Sequence, residues 1–230
     1  MKAIGILGGL SPESTSHYYE HIIRTYFERF GDYNYPEVLI YSVNFQKYVE
    51  WQESGKWSAA AEDMIKIFSA LHNAGADFGI LATNTMHKVF ETVQTGTPMP
   101  LISIMDATGK QIEVAGYKTV GLLGTIFTMR ESFYKNDLGK RGIDVIVPKD
   151  DEQEYINRVI YEELTRGEVK KESRARFIEI VTNLNGEGAE GVILGCTEIP
   201  MIISEDDCGV TLFNTTKIHA EAALEYALKE

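Results

Sequence analysis

Ile80-Leu81-Ala82-Thr83-Asn84-Thr85 and Ile193-Leu194-Gly195-Cys196-Thr197-Glu198 are two versions of one pattern. Each is a short apolar run that stops at small residues and then at hydroxyl, thiol or other polar groups. A buried parallel strand reads this way when its carboxyl end opens into a site. Each run follows, by about 75 residues, a matching segment: Ile4-Gly5-Ile6-Leu7-Gly8-Gly9 and Val120-Gly121-Leu122-Leu123-Gly124-Thr125. Two halves, each with a first strand ending in small residues and a later strand ending in a polar triplet, predict a duplicated α/β unit. A site between the halves would take one wall from each copy. Superposing the copies sets Thr83 opposite Cys196, and Asn84 and Thr85 opposite Thr197 and Glu198.

Working outward, Lys2 to Leu7 reads as a buried strand and Gly8-Gly9 as a tight turn. Ser11 is a good N-cap and Pro12 suits the first helical position, which predicts a helix from about Pro12 to Phe30. This glycine turn is neither a dinucleotide nor a P-loop signature. It reads either as a plain βα turn or as a set of backbone N–H groups aimed at a carboxylate. Val38 to Val43 is the second strand. Residues 44–57 read as an irregular aromatic loop with Phe45, Tyr48, Trp51 and Trp57. At about 14 residues it is long for an αβ connection, which suggests a lid or binding loop as readily as packing. Ser58 is a cap for a helix over 59–74. Strands at 77–81 and 101–104 flank a helix over 86–95.

The second half opens with a helix over 106–115 and a strand at 120–123. Thr128-Met129-Arg130-Glu131 has capping-box spacing and predicts a helix start. Ile143 to Val147 is a strand, followed by helices over 151–165 and 169–184 broken at Gly167. Strands at 191–194 and 210–213 follow, and Asn214 caps the final helix. Strands alternating with helices imply a mainly parallel sheet flanked by helices in each half. Ligands of such sheets sit beyond the carboxyl ends of the strands, where Thr83 and Cys196 lie. The predicted domains are 1–100 with 214–230, and 101–213.

The chain has 230 residues, 44% hydrophobic and 24% charged, which fits globular α/β units with a sizeable core. A formal net charge of -12 argues against nucleic acid as partner, because phosphate affinity comes largely from Lys and Arg. A local donor cluster can still hold a small carboxylate. The absence of a basic-then-apolar leader or a membrane-length apolar run predicts a cytoplasmic chain without membrane contact. Its two cysteines stand in different contexts, so no structural disulfide is expected.

Cys196 is the best reactive group. A helix turn beginning at residues 197–200 would stabilise its thiolate and lower its pKa toward neutrality. Cys208, among Glu205, Asp206 and Asp207, reads as incidental. His17 and His21 share a helix face without a metal motif around them. His87 follows the first polar triplet, where it could orient groups or serve the helix. His72 and His219 look structural. No G-x-S-x-G elbow supports a serine hydrolase.

These residues resemble the aspartate/glutamate racemase family. The matching motifs are residues 8–15 (GGLSPEST), 83–87 (TNTMH), 123–125 (LGT) and 195–199 (GCTEI), in the family's order over most of the chain. The resemblance implies two similar α/β domains with an acidic amino acid between them, and chemistry without pyridoxal phosphate or metal. Family members usually carry cysteine at both matched strand ends, one on each face of the substrate α-carbon. Here the first position is Thr83. The sequence therefore looks most like the bacterial L-aspartate/L-glutamate-specific racemases, which pair a threonine with a cysteine. Thr83 and Cys196 are then the implied catalytic residues. Leu10, Gln52, Asn84, Thr85, Thr125, Arg166 and Thr197 are the implied substrate-binding residues. Asn84, Thr85, Thr125 and Thr197 would hold the α-carboxylate, and Arg166, with Lys170 and Lys171 nearby, the second carboxylate. A homodimer is implied as well. An aliphatic hydroxyl is a much weaker acid than a thiol, so Thr83 is a poor resting base but could deliver a proton, its own or one relayed from His87 or water. Rival readings are a decarboxylase, maleate-type isomerase or hydantoin racemase of the same superfamily, or an acidic amino-acid-binding protein without catalysis.

Overall fold

The structure, a computed structural model, describes residues 1–229. Its strands are β1 (Ile4–Gly8), β2 (Val38–Ser42), β3 (Phe78–Leu81), β4 (Leu101–Ile102), β5 (Thr119–Gly124), β6 (Asp144–Ile146), β7 (Gly191–Gly195) and β8 (Thr211–Asn214). The described residues form two four-stranded sheets, ordered β2-β1-β3-β4 and β6-β5-β7-β8. Every neighbouring pair is parallel. The chain divides into two compact units: Met1–Ile104 with the chain from Thr216 onward, and Met105–Thr215.

In the first unit, side chains alternate across the sheet. Ile4, Ile6, Phe78 and Ile80 point to one face and join Tyr18, Ile22 and the C-terminal helix through Ala220, Ala223, Leu224 and Ala227. The alanines let that helix, Thr215–Leu228, lie close to the strands. Leu7 and Leu81 point the other way, into a layer with Met64, Phe68 and Leu71 of the helix Trp57–Asn73. Each fully buried Ile, Leu or Phe contributes about 1.5–3 kcal/mol of transfer free energy, so burial on both faces is what holds this sheet. In the second unit Leu123, Val192 and Leu194 pack on Ile156, Ile160, Phe177, Ile180 and Leu184 from the helices Asp150–Glu162 and Lys171–Gly186.

The duplication is written in the strand register. Leu7 pairs with Leu81 and Leu123 with Leu194. Two residues beyond the second member of each pair stand Thr83 and Cys196, so the two residues are equivalent in the two sheets. A glycine ends the first strand in both copies, and each makes room for a threonine of the next helix. A Cβ on Gly8 would meet Thr15 Cγ2 at 2.4 Å, and one on Gly124 would meet Thr128 Cβ at 3.0 Å. Gly9 is constrained further. Its φ is +85°, and a Cβ there would lie 2.5 Å from the backbone nitrogen of Val43. Only glycine accommodates both the left-handed φ and that approach.

Several local expectations are corrected. Most of the aromatic loop is helix: Phe45–Glu53, with the Asn44 side chain accepting from Lys47 N. The spacing of Tyr48 and Gln52, both buried, gives this helix its inner face, although its polar composition hides the periodicity. The next helix begins at Trp57 rather than 59, without a side-chain cap. Residues 85–89 form a 3₁₀ turn before the helix Phe90–Gly96. The cap in the second half is Thr125, not Thr128: Thr125 Oγ1 accepts from Thr128 N and the helix is Ile126–Arg130. β4 is two residues long and its following helix starts at Ile104. Asn214 closes β8, and the last helix begins at Thr215. The break at Gly167 holds, with φ +73° after the 3₁₀ turn Leu164–Arg166.

Candidate active site

Each sheet reverses its winding between its first and third strands, β1 and β3 in one unit, β5 and β7 in the other. At such a switch point neighbouring loops leave in opposite directions and open a crevice at the carboxyl edge.

In the first unit the crevice is bounded by the Gly9-Leu10 turn after β1 and by Thr83-Asn84-Thr85 after β3. Leu10, Thr83, Asn84 and Thr85 are all buried. Gly9 N donates to Thr15 Oγ1 at 2.8 Å, and the same hydroxyl donates to Ser11 O at 2.8 Å. The N–H of Gly9 is therefore occupied by the turn's own helix, which favours the plain βα turn at that residue. Gln52 is buried and its Nε2 lies 3.2 Å from Met86 Sδ, in the turn that follows the triplet. The structure thus brings Gln52 to the segment that carries Thr83.

In the second unit Gly124 and Gly195 are paired, so Thr125 and Cys196 emerge side by side. Thr125, Cys196 and Thr197 are buried. Arg166 is exposed on the turn between the two helices that link β6 to β7.

Sequence reasoning missed Glu198. Its carboxylate is buried, and one oxygen receives two donors: Cys196 Sγ at 2.9 Å and Thr197 Oγ1 at 2.8 Å. The anticipated helix at 197–200 is replaced by a 3₁₀ turn, Ile199–Met201, entered from Glu198 in αR conformation. That turn swings the Glu198 side chain back onto the sulfur. The consequence reverses the expected activation. Burial, then the Glu198 charge and its hydrogen bond, push the Cys196 thiol well above its ordinary pKa, against the smaller opposing pull of the Thr197 and Glu198 N–H groups. The resting group is a thiol that donates, not a thiolate. The signal in the sequence was an acidic residue two positions after the cysteine, in a segment whose backbone no periodicity fixes.

His87 has a defined structural task. Ile104 N–H donates to its Nε2 at 3.0 Å, so the ring proton sits on Nδ1, which donates to Thr83 O at 2.7 Å. His219 has the converse assignment: Nε2–H donates to Ile102 O at 2.8 Å, and Nδ1 accepts from Tyr18 OH at 2.9 Å. The two rings meet edge to face with centroids 6.0 Å apart. Both are buried, and desolvation lowers their pKa values to about 3 for His87 and about 4 for His219. His87 is therefore neutral with both nitrogens engaged by backbone, and it fixes the carbonyl of Thr83. The relay of a proton from His87 to Thr83 is not what this geometry provides.

Cys208 ends the short helix Glu205–Cys208, and burial and Asp207 raise its pKa. No helix among the described residues is long and apolar enough to cross a membrane.

A family model described as Asp/Glu/Hydantoin racemase matches residues 7–223. The chain is 26% identical over 228 residues to the broad specificity amino-acid racemase RacX of Bacillus subtilis (strain 168), covering 96% of both chains. Among solved structures, a candidate Asp/Glu racemase from Yersinia pestis superposes with a TM-score of 0.93 at 40% identity, covering 100% of both chains. An aspartate racemase homologue from Pyrococcus horikoshii OT3 superposes with a TM-score of 0.87 at 41% identity, again covering 100% of both.

Proposed function

The chain belongs to the Asp/Glu/hydantoin racemase family, and on that premise we propose that it is a racemase of acidic amino acids, aspartate or glutamate, with an L-substrate preference. The observation that carries this reading is the equivalence of Thr83 and Cys196 at the two strand ends. Racemisation at Cα needs one group to remove a proton and another to return one on the opposite face. Cys196 is the group that exchanges the Cα proton, and Thr83 delivers a proton to the other face. The two are chemically unequal, since a hydroxyl is a far weaker acid than a thiol. The Asn84, Thr85 and Thr125 side chains supply neutral donors for the α-carboxylate, whereas the Thr197 hydroxyl gives its single proton to Glu198 Oε2. Gln52 serves the ligand from the first unit, and Arg166 is the cation for the second carboxylate, suited to a bidentate grip. Thiol, carboxylate and hydroxyl groups are a proton-transfer set, and the family resemblance implies chemistry without pyridoxal phosphate or metal.

The test is deuterium wash-in at Cα in D₂O, run with both enantiomers of aspartate and glutamate. Exchange is expected with the acidic amino acids, with L and D rates differing by about tenfold or more, the order of one acid–base group's advantage. Equal rates from the two enantiomers would overturn the division of labour between Thr83 and Cys196. Binding without exchange would favour the amino-acid-binding alternative.

The proposed partner is a second copy of the chain. The first unit exposes Phe27, Phe30, Tyr33 and Tyr35 beside Ile40 and Tyr41 of the edge strand β2. Exposed aromatics next to an unpaired strand edge suit a twofold contact. Sedimentation equilibrium should give a dimer, and Ile40→Lys with Tyr41→Lys should give a monomer. A monomer in the parent chain sinks this assignment.

A further inference from the structure

The reaction proposed above leaves one buried charge without a task. Glu198 is 4% exposed, yet it stands beside the one sulfur of the site. Buried carboxylates are costly unless they are hydrogen-bonded, and two donors converge here on a single oxygen. Thr197 Oγ1 and Cys196 Sγ lie 2.8 and 2.9 Å from Oε2. The Thr197 hydroxyl is a far weaker acid than the thiol, so toward the carboxylate it serves to hold Oε2 in place. The thiol hydrogen is the transferable one, and Sγ donates it to Oε2.

We propose that Glu198 is the proton partner of Cys196, a positioning residue that accepts the thiol hydrogen on Oε2 and thereby frees the sulfur to act as a base. The proposal rests on the racemase reading of the site. In the first step the Sγ–H bond breaks and the Oε2–H bond forms, with the electron pair staying on sulfur. In the second the thiolate takes the Cα hydrogen as a proton: the Sγ–H bond forms, the Cα–H bond breaks, and its electron pair remains on Cα. In the reverse direction the pair starts as thiol with carboxylic acid: the Sγ–H bond breaks as the Cα–H bond forms, and the thiolate then takes the Oε2 hydrogen, leaving thiol with carboxylate. The pair carries one negative charge before the Cα proton is taken, as thiol with carboxylate or thiolate with carboxylic acid, and none after, when it is thiol with carboxylic acid and the charge has passed to Cα. No charge is created in the buried site and no outside reagent is consumed.

This explains why a thiol pushed upward by its neighbour can still be a base. The carboxylate that raises the thiol is also the acceptor of its proton, and the titratable side chain acting on the sulfur is Glu198. The two groups titrate as a unit rather than singly. A thiol without that partner would have to release its proton to solvent, and its rate would follow the pH.

The experiment compares the parent chain with Glu198→Gln and Glu198→Asp in a Cys208→Ser background, so that one thiol remains. Two readouts are taken: thiolate absorbance against pH without substrate, and Cα wash-in of L-aspartate and L-glutamate against pH. Glu198→Gln is expected to titrate its thiol at least about one pH unit below the parent, since the nearby negative charge is gone. Its kcat for exchange near neutrality should fall about 100-fold, the usual worth of an acid–base partner. The rate should then climb about tenfold per pH unit until the thiol ionises, where the parent is flat. KM should stay within about threefold, because the loss is in the proton-transfer step. Glu198→Asp, which keeps a carboxylate, should recover at least about tenfold over Glu198→Gln. A Glu198→Gln chain with near-parent kcat and a flat profile overturns the proposal, as does a thiol titration that does not move. The failures are separable. A parent chain that exchanges no Cα hydrogen removes the racemase reading, while the thiol titration still decides whether Glu198 governs the sulfur.

Discussion

Cys196→Ala is expected to lose about 10³- to 10⁴-fold in Cα exchange with L-aspartate and L-glutamate, the upper range for removing an acid–base group. Cys196→Ser should fare little better. It keeps an O–H donor toward Glu198 but has a far weaker acid in place of the thiol. Among the described residues, Cys196 is the strand-end residue whose side chain is both ionisable and paired with a buried carboxylate. Thr83 sits at the equivalent position of the other sheet but carries a hydroxyl. The variant also separates the enzyme from the amino-acid-binding alternative. Titration calorimetry should find ligand affinity within a few-fold of the parent, because the proposed carboxylate donors, Asn84, Thr85 and Thr125, are untouched. A Cys196→Ala chain that keeps more than about a tenth of parent exchange is incompatible with a base worth two or more decades.

The duplicated strands were legible because buried parallel strands are continuous apolar runs, and their polar ends break those runs at the same offset. That alone made Thr83 the counterpart of Cys196, as the register within each sheet does. The helix Phe45–Glu53 was not legible, because its inner face is built from a tyrosine and a glutamine rather than from aliphatics. The choice between Thr125 and Thr128 as cap could not be made by residue type, since both are good caps. It was decided by where β5 ends, and Gly124 is its last residue. His87 reads as orienting groups or serving the helix, but its particular contacts, like that of Glu198, were not legible, for different reasons. The Glu198 contact depends on a 3₁₀ turn that reverses the side chain over two residues. The His87 contacts reach backbone groups four residues back and 17 residues on, and that of His219 spans 117 residues to a backbone carbonyl; backbone groups carry no residue signature.

Acidification should unfold this protein well above the pH at which its carboxylates protonate, and the two buried histidines are the reason. Above pH 6.5 both are neutral in the folded and in the unfolded chain. Below it the unfolded chain takes up two protons that the folded chain refuses until about pH 4 at His219 and about pH 3 at His87. Stability is therefore full above the unfolded pKa and falls as pH drops toward the folded values, by about 1.4 kcal/mol per pH unit for each ring. Between pH 6.5 and 4 the pair removes on the order of 5 kcal/mol, comparable to the whole stability of many domains. Urea midpoints across this range should show the slope of two protons. His219→Gln and His87→Asn should each be less stable at pH 8, because they leave buried partners poorly satisfied, yet each should lose about one proton from the slope. An unchanged slope in both variants would mean that other groups carry the acid sensitivity. The location gives the effect a functional reach. His87 holds the carbonyl of Thr83 and the N–H of Ile104, and His219 holds the carbonyl of Ile102. The chain leaves the first unit after Ile104 and re-enters it at Thr216. The same two rings thus anchor the Thr83 strand end, the exit and the return helix. Protonating either ring sets a second N–H against a backbone or phenol donor. Exchange activity should accordingly fall along the same pH curve as the urea midpoint, and irreversibly where the unfolded chain aggregates.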